Sequence, residues 1–285
     1  MEGTELPSGL ATTALGVAMV RAIESSRPDR LFNDPYAQVF VDAVPGAFAV
    51  EQETARTDEE GMGKWGALLW AHVVVRTRFF DDYLLDAARK GIRQVVLLAA
   101  GLDMRAFRLS WPDGVRLYEV DQPEVLGFKD QVLAGRGAHP SCERIEVGVD
   151  LRQEWGRLLV AARLRPREPT AWLAEGVLTY LSDVEATRLL AGLSEESGPG
   201  CRLAFECDGL GSEESRAKAM ETPAMDAYTS LWKGGLTRAA AVSWLTAHGW
   251  DPEVNDEAAV AASYDRTDVA SLSPGGSFVT ASRRW

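Results

Sequence analysis

The sequence predicts an α/β protein built on a mostly parallel sheet with helices on both faces. Between residues 93 and 208, short apolar runs recur with segments of helical periodicity between them. The runs are apolar at consecutive positions rather than at alternate ones, which marks strands buried on both faces. The alternation of strand and helix then requires parallel pairing with crossover helices.

In chain order, residues 1–64 read as an N-terminal helical cap. "TTALGVAMVRAIES" is apolar at helical spacing, and "RLFNDPYAQVFVDAVPG" carries a helix-start signal at Asn33-Asp34-Pro35. "EQETARTDEEGMG" is polar and reads as a loop. Residues 65–90 form a long amphipathic helix closed by Gly91. "RQVVLLAA" is the first strand and "VRLYEVD" the second, followed by a helix starting at Pro123. "CERIEVGVD" is the third strand, with helix "RQEWGRLLVAARL" after it. "PTAWLAEGVL" is the fourth, and the next helix has Ser182 as N-cap with Glu185 as its capping-box partner. "GCRLAFECD" closes the expected binding core, 65–207. Residues 208–236 are long for a connection and read as a lid insertion. Residues 237–285 supply a C-terminal helix, "TRAAAVSWLTAHGW", and strands, the final one in "GGSFVTASRRW". The whole is read as one domain.

Charge narrows the partners. The net charge is −12, which repels nucleic-acid phosphates and anionic lipid. No apolar run approaches the roughly 20 residues that span a bilayer, so a soluble, cytoplasmic chain is expected. Cys142, Cys201 and Cys207 are widely spaced and form no C-x-x-C pair, so they read as reduced thiols without a metal. Monomer and homodimer stay open.

In open parallel sheets, ligands bind beyond the carboxyl ends of the strands. Ala99-Ala100-Gly101-Leu102-Asp103 stands there after the first strand, Glu119 and Asp121 at the second, Asp150-Leu151 at the third, Glu175-Gly176 at the fourth, and Glu206 and Asp208 at the fifth. Carboxylates can be helix caps, but so many together disfavour a pyrophosphate. The glycine fingerprint of a dinucleotide loop is absent too, which argues against a nicotinamide oxidoreductase. S-adenosylmethionine suits the set better, having ribose hydroxyls, an adenine amine and a cationic amino group for acids, and a carboxylate for an arginine.

"VVLLAAGLDMRAFRL", "LYEVDQPEVLGFK", "LFNDPYAQVF", "VRTRFFDDYL" and "WLAEGVLTYL" resemble, in order, motifs of the leucine carboxyl methyltransferase family, specifically its bacterial branch of small-molecule O-methyltransferases, some from polyketide pathways. The resemblance implies a class I methyltransferase fold, Rossmann-like, with a seven-stranded sheet whose last strand is antiparallel. It also implies roles. Arg76, and less securely Arg21, would bind the cofactor's carboxylate. Ala99, Ala100 and Gly101, with Asp103, would form the loop under its methionine part. Asp121, beside Gln122, would take the ribose hydroxyls. Asp150 and Leu151 would hold the adenine. Glu175, next to Gly176, would face the amino group and the methyl-transfer site. The family commonly has Gly-Ala-Gly where this chain has Ala-Ala-Gly, and Asp-Thr-Arg where it has Asp-Met-Arg.

Methyl transfer from a sulfonium needs mainly positioning and exclusion of water. A carboxylate acceptor is already ionised near pH 7, whereas a phenol or alcohol needs a base. Of His72, His139 and His248, only His72 lies on the helix face of Arg76. The candidate catalytic set is therefore Glu175, Tyr180 and His72, and the scarcity of histidine favours a carboxylate. Met19, Tyr36, Tyr180, Met225, Tyr228 and Trp232 are candidates to line an apolar acceptor pocket. The competing readings are a phenol or alcohol methyltransferase, a non-catalytic S-adenosylmethionine-binding protein, and methylation of a protein tail. Arg105 is expected to form a structural ion pair with a strand-end acid such as Glu119, and Asp103 to approach the amino group or hold the loop.

Overall fold

The computed structural model describes residues 10–46, 59–209, 230–271 and 275–284. Helices α1 (Leu10–Ser26) and α2 (Ala37–Ala43) precede the long α3 (Glu59–Arg89). Then come β1 (Gln94–Leu98), α4 (Arg105–Arg108), β2 (Arg116–Asp121), α5 (Pro123–Ala134), β3 (Glu143–Gly148), α6 (Trp155–Ala161) and β4 (Thr170–Ala174). They are followed by α7 (Asp183–Glu195), β5 (Arg202–Asp208), α8 (Arg238–Ala247), β6 (Trp250–Asp256), α9 (Glu257–Ser263), α10 (Thr267–Ala270) and β7 (Gly276–Arg283). The sheet order is β3-β2-β1-β4-β5-β7-β6. β1 to β5 pair in parallel, and β7 runs antiparallel to both β5 and β6.

β1 forms where the sequence is continuously apolar, and its five residues are all buried. Val96 is in register with Tyr118 and Trp172, and these three share one face with Leu203, beneath Trp155, Leu159 and Leu189 of α6 and α7. Val95, Leu97, Leu117 and Leu173 lie on the other, beneath Phe80 and Leu84 of α3. The predicted termini hold at several points. Gly91, at φ +97°, closes α3 while the Ile92 amide donates back to Ala87 O. Ser182 and Glu185 form the reciprocal capping box of α7.

Some expectations need correction. α3 begins at Glu59, so "DEEGMG" is largely helix and the 64/65 boundary falls inside it; Gly61 and Gly63 hide that start. α6 is shorter than its sequence pattern. β6 was expected only through the seven-strand count and was not located, and α9 and α10 were not foreseen. β6 is an edge strand, mostly exposed, with Pro252 inside it, so it carries no apolar run. Most of the expected lid, residues 210–229, lies outside the described residues, and Met225 and Tyr228 with it.

Candidate functional site

The strand order reverses between β1 and β4, which run from adjacent positions to opposite sides of the sheet. A crevice for a ligand is expected at the carboxyl ends of such a pair. The β1 loop turns there through Ala99 at φ +55° and Gly101 at φ +50°. Alanine in this left-handed region costs about 1 kcal/mol. A Cβ on Gly101 would meet the Ala14 side chain of α1 at 3.5 Å, so the loop is packed from above. Arg21 holds it from the same side. Its Nε donates to Asp34 (2.9 Å) and its Nη2 to the carbonyl of Leu102 (2.6 Å).

Asp121, at the end of β2, braces the loop from below. Its Oδ2 accepts from the Gly101 amide (2.6 Å) and its Oδ1 from the Gln122 amide (2.7 Å). Burial raises its carboxyl above the usual range despite those bonds. Each oxygen keeps a further lone pair. Asp150 takes the Arg152 amide and guanidinium at the end of β3, and Leu151 packs on the core face that holds Tyr118.

The centre is a cluster of guanidiniums and carboxylates. Arg105, 2% exposed, donates to Asp81 Oδ1 (2.7 Å), to Asp103 and to Glu175 Oε2 (2.6 Å). Arg108 binds both oxygens of Asp81. Arg76 Nε donates to Glu175 Oε1 (2.9 Å) and its Nη1 to Glu206 Oε1 (3.3 Å). Glu206 Oε1 also takes the Gly176 amide (2.5 Å). Gly176 sits at φ +70°, with the Arg76 guanidinium 3.7 Å from where a Cβ would stand. Burial pushes Glu175 up, but Arg105 and Arg76 outweigh it and hold its carboxyl below the usual range. Glu206 is pushed up by burial, which Arg76 does not offset.

Arg105 forms the expected ion pair with a strand-end acid, but that acid is Glu175 and not Glu119. Glu119 is no strand-end acid: it is fully buried within β2 and pairs with Lys129 (2.8 Å) and Arg144 (2.8 Å). Asp208 pairs with Arg238 instead of joining the centre. Asp103 holds the loop, accepting from the Arg105 amide (2.6 Å) and guanidinium. Burial alone would raise its carboxyl, but Arg105, Lys129, Arg108 and Arg21 lower it to about 2. A carboxyl depressed in the fold contributes stability above its unfolded value of 3.8, and this is lost as pH falls through about 2. Asp103→Asn should therefore cost roughly 2 kcal/mol at neutral pH. In urea unfolding at stepped pH, the gap to wild type should close between about pH 4 and 2.

His72 is buried on α3, with Nδ1 3.1 Å from Glu257 Oε1 and Nε2 3.4 Å from Arg76 Nη1. Tyr180 is half-buried in the short turn Leu178–Tyr180 after β4. Tyr36 packs edge-on against Phe107. His248 caps α8, its Nδ1 2.7 Å from Trp244 O, and His139 is exposed. Asp81 and Glu257 were missed by sequence reasoning, since their partners lie 24 and 185 residues away. An open groove of about 740 Å³ lies at the opposite, amino-terminal edge, but its Arg93, Gln94 and Arg116 are engaged in bonds to neighbouring carbonyls and to each other. Among the described residues, no group of His, Cys, Asp and Glu could hold a metal, and no helix is long and apolar enough to cross a membrane.

Seven strands in this order, an antiparallel seventh, and a polar edge at the β1–β4 reversal define a class I methyltransferase fold. Residues 14–194 match the family described as leucine carboxyl methyltransferase, and the chain belongs to that family. A relative from Parafrankia sp. (strain EAN1pec) is 49% identical over 97% of this chain and 88% of its own length. One from Streptomyces coelicolor is 43% identical over 91% and 89%. Both bear the name "Putative S-adenosyl-L-methionine-dependent methyltransferase". Among solved structures, a duf574 family protein from Streptomyces avermitilis superposes with a TM-score of 0.58 at 15% identity, covering 93% of this chain and 96% of that one. A structure from Thermobifida fusca, described as a putative methyltransferase, gives 0.57 at 15% identity over 94% and 95%. At such identities these two similarities speak to the fold.

Proposed function

We propose that this chain transfers a methyl group from S-adenosylmethionine to a carboxylate of a small apolar metabolite, giving a methyl ester. The methyltransferase class and the cofactor follow from the family and its relatives. The acceptor and the roles of individual residues are the proposal.

The observation that carries the site assignment is the charge balance at the β4 edge. Asp81, Asp103, Glu175 and Glu206 face Arg76, Arg105 and Arg108, four carboxylates against three guanidiniums. The excess falls on Glu206, whose Oε2 is buried and, among the described residues, has no hydrogen-bond partner. Arg76 in turn spends Nε and Nη1, and among the described residues its Nη2 donates to nothing. A cationic amino group and a carboxylate would satisfy both, so the residues fit an amino-acid moiety. Asp121, with lone pairs to spare, would take the ribose hydroxyls, and Asp150 with Leu151 the adenine.

When bound, S-adenosylmethionine supplies an electrophilic methyl on a sulfonium. The chain's part is to orient and to exclude water. Its three histidines support an acceptor that needs no base: His72 is engaged at both nitrogens, and His139 and His248 are remote from the β4 edge. Secondary metabolism, polyketides included, is the expected source of such an acceptor.

Two measurements test this. Calorimetry should show wild type binding S-adenosylmethionine and not NADH, and Asp121→Ala should weaken the cofactor at least about tenfold, the worth of one hydrogen bond to a charged group. Unchanged affinity removes the ribose assignment. With cofactor labelled at the methyl, products from a small-molecule extract should release volatile methanol in mild alkali, as esters do. Alkali-stable label means an ether and overturns the carboxylate.

A further inference from the structure

We propose that His72 and Glu257 are positioning residues for Arg76, a buried relay that fixes the guanidinium against the cofactor's carboxylate. The inference rests on the carboxylate-binding role given to Arg76 above. It assigns His72 a task other than proton transfer to substrate.

The chemistry of the three groups fixes the direction of the relay. A guanidinium only donates, so the nitrogen of His72 that faces Arg76 Nη1 at 3.4 Å must accept. That makes Nε2 the bare nitrogen and puts the proton on Nδ1. Nδ1 lies 3.1 Å from Glu257 Oε1, which accepts it. A carboxylate behind an imidazole is a standard way to fix a tautomer and to aim the far lone pair. The contact to Arg76 is long, so it steers the guanidinium more than it binds it, while Glu175 and Glu206 supply the binding.

The surroundings are shaped for this arrangement. His72 and Arg76 are four residues apart on α3 and share a face. Glu257 is 1% exposed, although it opens a helix that follows an exposed strand. One glycine leaves room for its carboxylate: a Cβ on Gly276 would stand 2.3 Å from Glu257 Oε2. The φ of Gly276 is not in the left-handed region, so its conformation does not ask for glycine; the carboxylate is the nearest obstacle to a side chain there, with Gly209 Cα next at 3.2 Å. Phe278, two residues on, lies beside the imidazole with ring centroids 6.4 Å apart. Three elements thus converge on one imidazole whose far nitrogen meets Arg76.

The test separates the amino-acid end of the cofactor from the rest. S-adenosylhomocysteine and 5′-methylthioadenosine share the nucleoside, but only the first has the carboxylate. Wild type should bind S-adenosylhomocysteine; if it does not, the parent reading fails and not only the relay. Given that binding, His72→Phe, which keeps the ring volume, should weaken S-adenosylhomocysteine about tenfold, as for one hydrogen bond to a charged group. Methylthioadenosine should bind unchanged. Gly276→Ala, which displaces the carboxylate without removing it, should do the same to a smaller degree and serves if the phenylalanine variant does not fold. Equal losses for both ligands, or no loss, overturn the proposal. So does a ¹⁵N spectrum of wild type in which His72 carries its proton on Nε2 or on both nitrogens.

Discussion

Arg105→Met should lower the melting temperature by on the order of 10 °C while leaving the secondary structure in place. The substitution keeps much of the volume and removes the charge. Arg105 is 2% exposed and holds Asp81, Asp103 and Glu175 together. Breaking a buried pair by removing one partner costs about 3–5 kcal/mol, because the remaining charge stays uncompensated. Two other effects compete. Asp81 keeps Arg108 and Glu175 keeps Arg76, which limits the loss. Asp103 keeps the amide of residue 105, and Lys129 through its carbonyl, but loses its side-chain cation. The net stays near 3–5 kcal/mol, and in a chain of this size each kcal/mol is worth about 2–4 °C. Scanning calorimetry reads it directly, and a shift below about 3 °C would mean the cluster is solvated.

Arg76→Leu should act mainly on the cofactor. We expect affinity for S-adenosylmethionine to fall on the order of 100-fold, since truncating one partner of a buried charge pair costs about 2–5 kcal/mol. The fold should suffer less than in the Arg105 variant. Glu175 retains Arg105, and Glu206, already raised by burial, can take a proton in place of its lost partner. Methylthioadenosine should bind as before. Calorimetry with both ligands checks this, and a parallel loss for the two would place Arg76 elsewhere than at the carboxylate.

The sheet could be read in the sequence because its central strands are continuously apolar. β1 to β5 fall where Val95–Leu98, Leu117–Val120 and their counterparts predict them. β6 could not be read, because Pro252 and the charged Asp251, Glu253 and Asp256 leave it no strand pattern, whereas β3, the other mostly exposed edge strand, keeps Ile145 and Val147 at alternate positions. The site was legible in its carboxylates but not in its pairings. Asp103, Asp121 and Glu175 stand at strand ends as expected, yet Arg105 chose Asp81 and Glu175 over Glu119. Glu119 is instead met by Lys129 of α5 and Arg144 of β3. Glu257 lies 185 residues from His72, and local sequence cannot join them.

The left-handed turn at Ala99 bears on how sharply the β1 loop is defined. Glycine there would relieve the folded chain of about 1 kcal/mol. It would also enlarge the ensemble of the unfolded chain, which costs about 0.4–1 kcal/mol in lost entropy on folding. The two contributions nearly cancel. The alanine therefore leaves the balance between folded and unfolded chain almost untouched, yet it removes conformers that a glycine would let the turn visit. In Ala99-Ala100-Gly101, a single methyl confines the turn at little thermodynamic cost, and a ligand arriving there has correspondingly less disorder to quench.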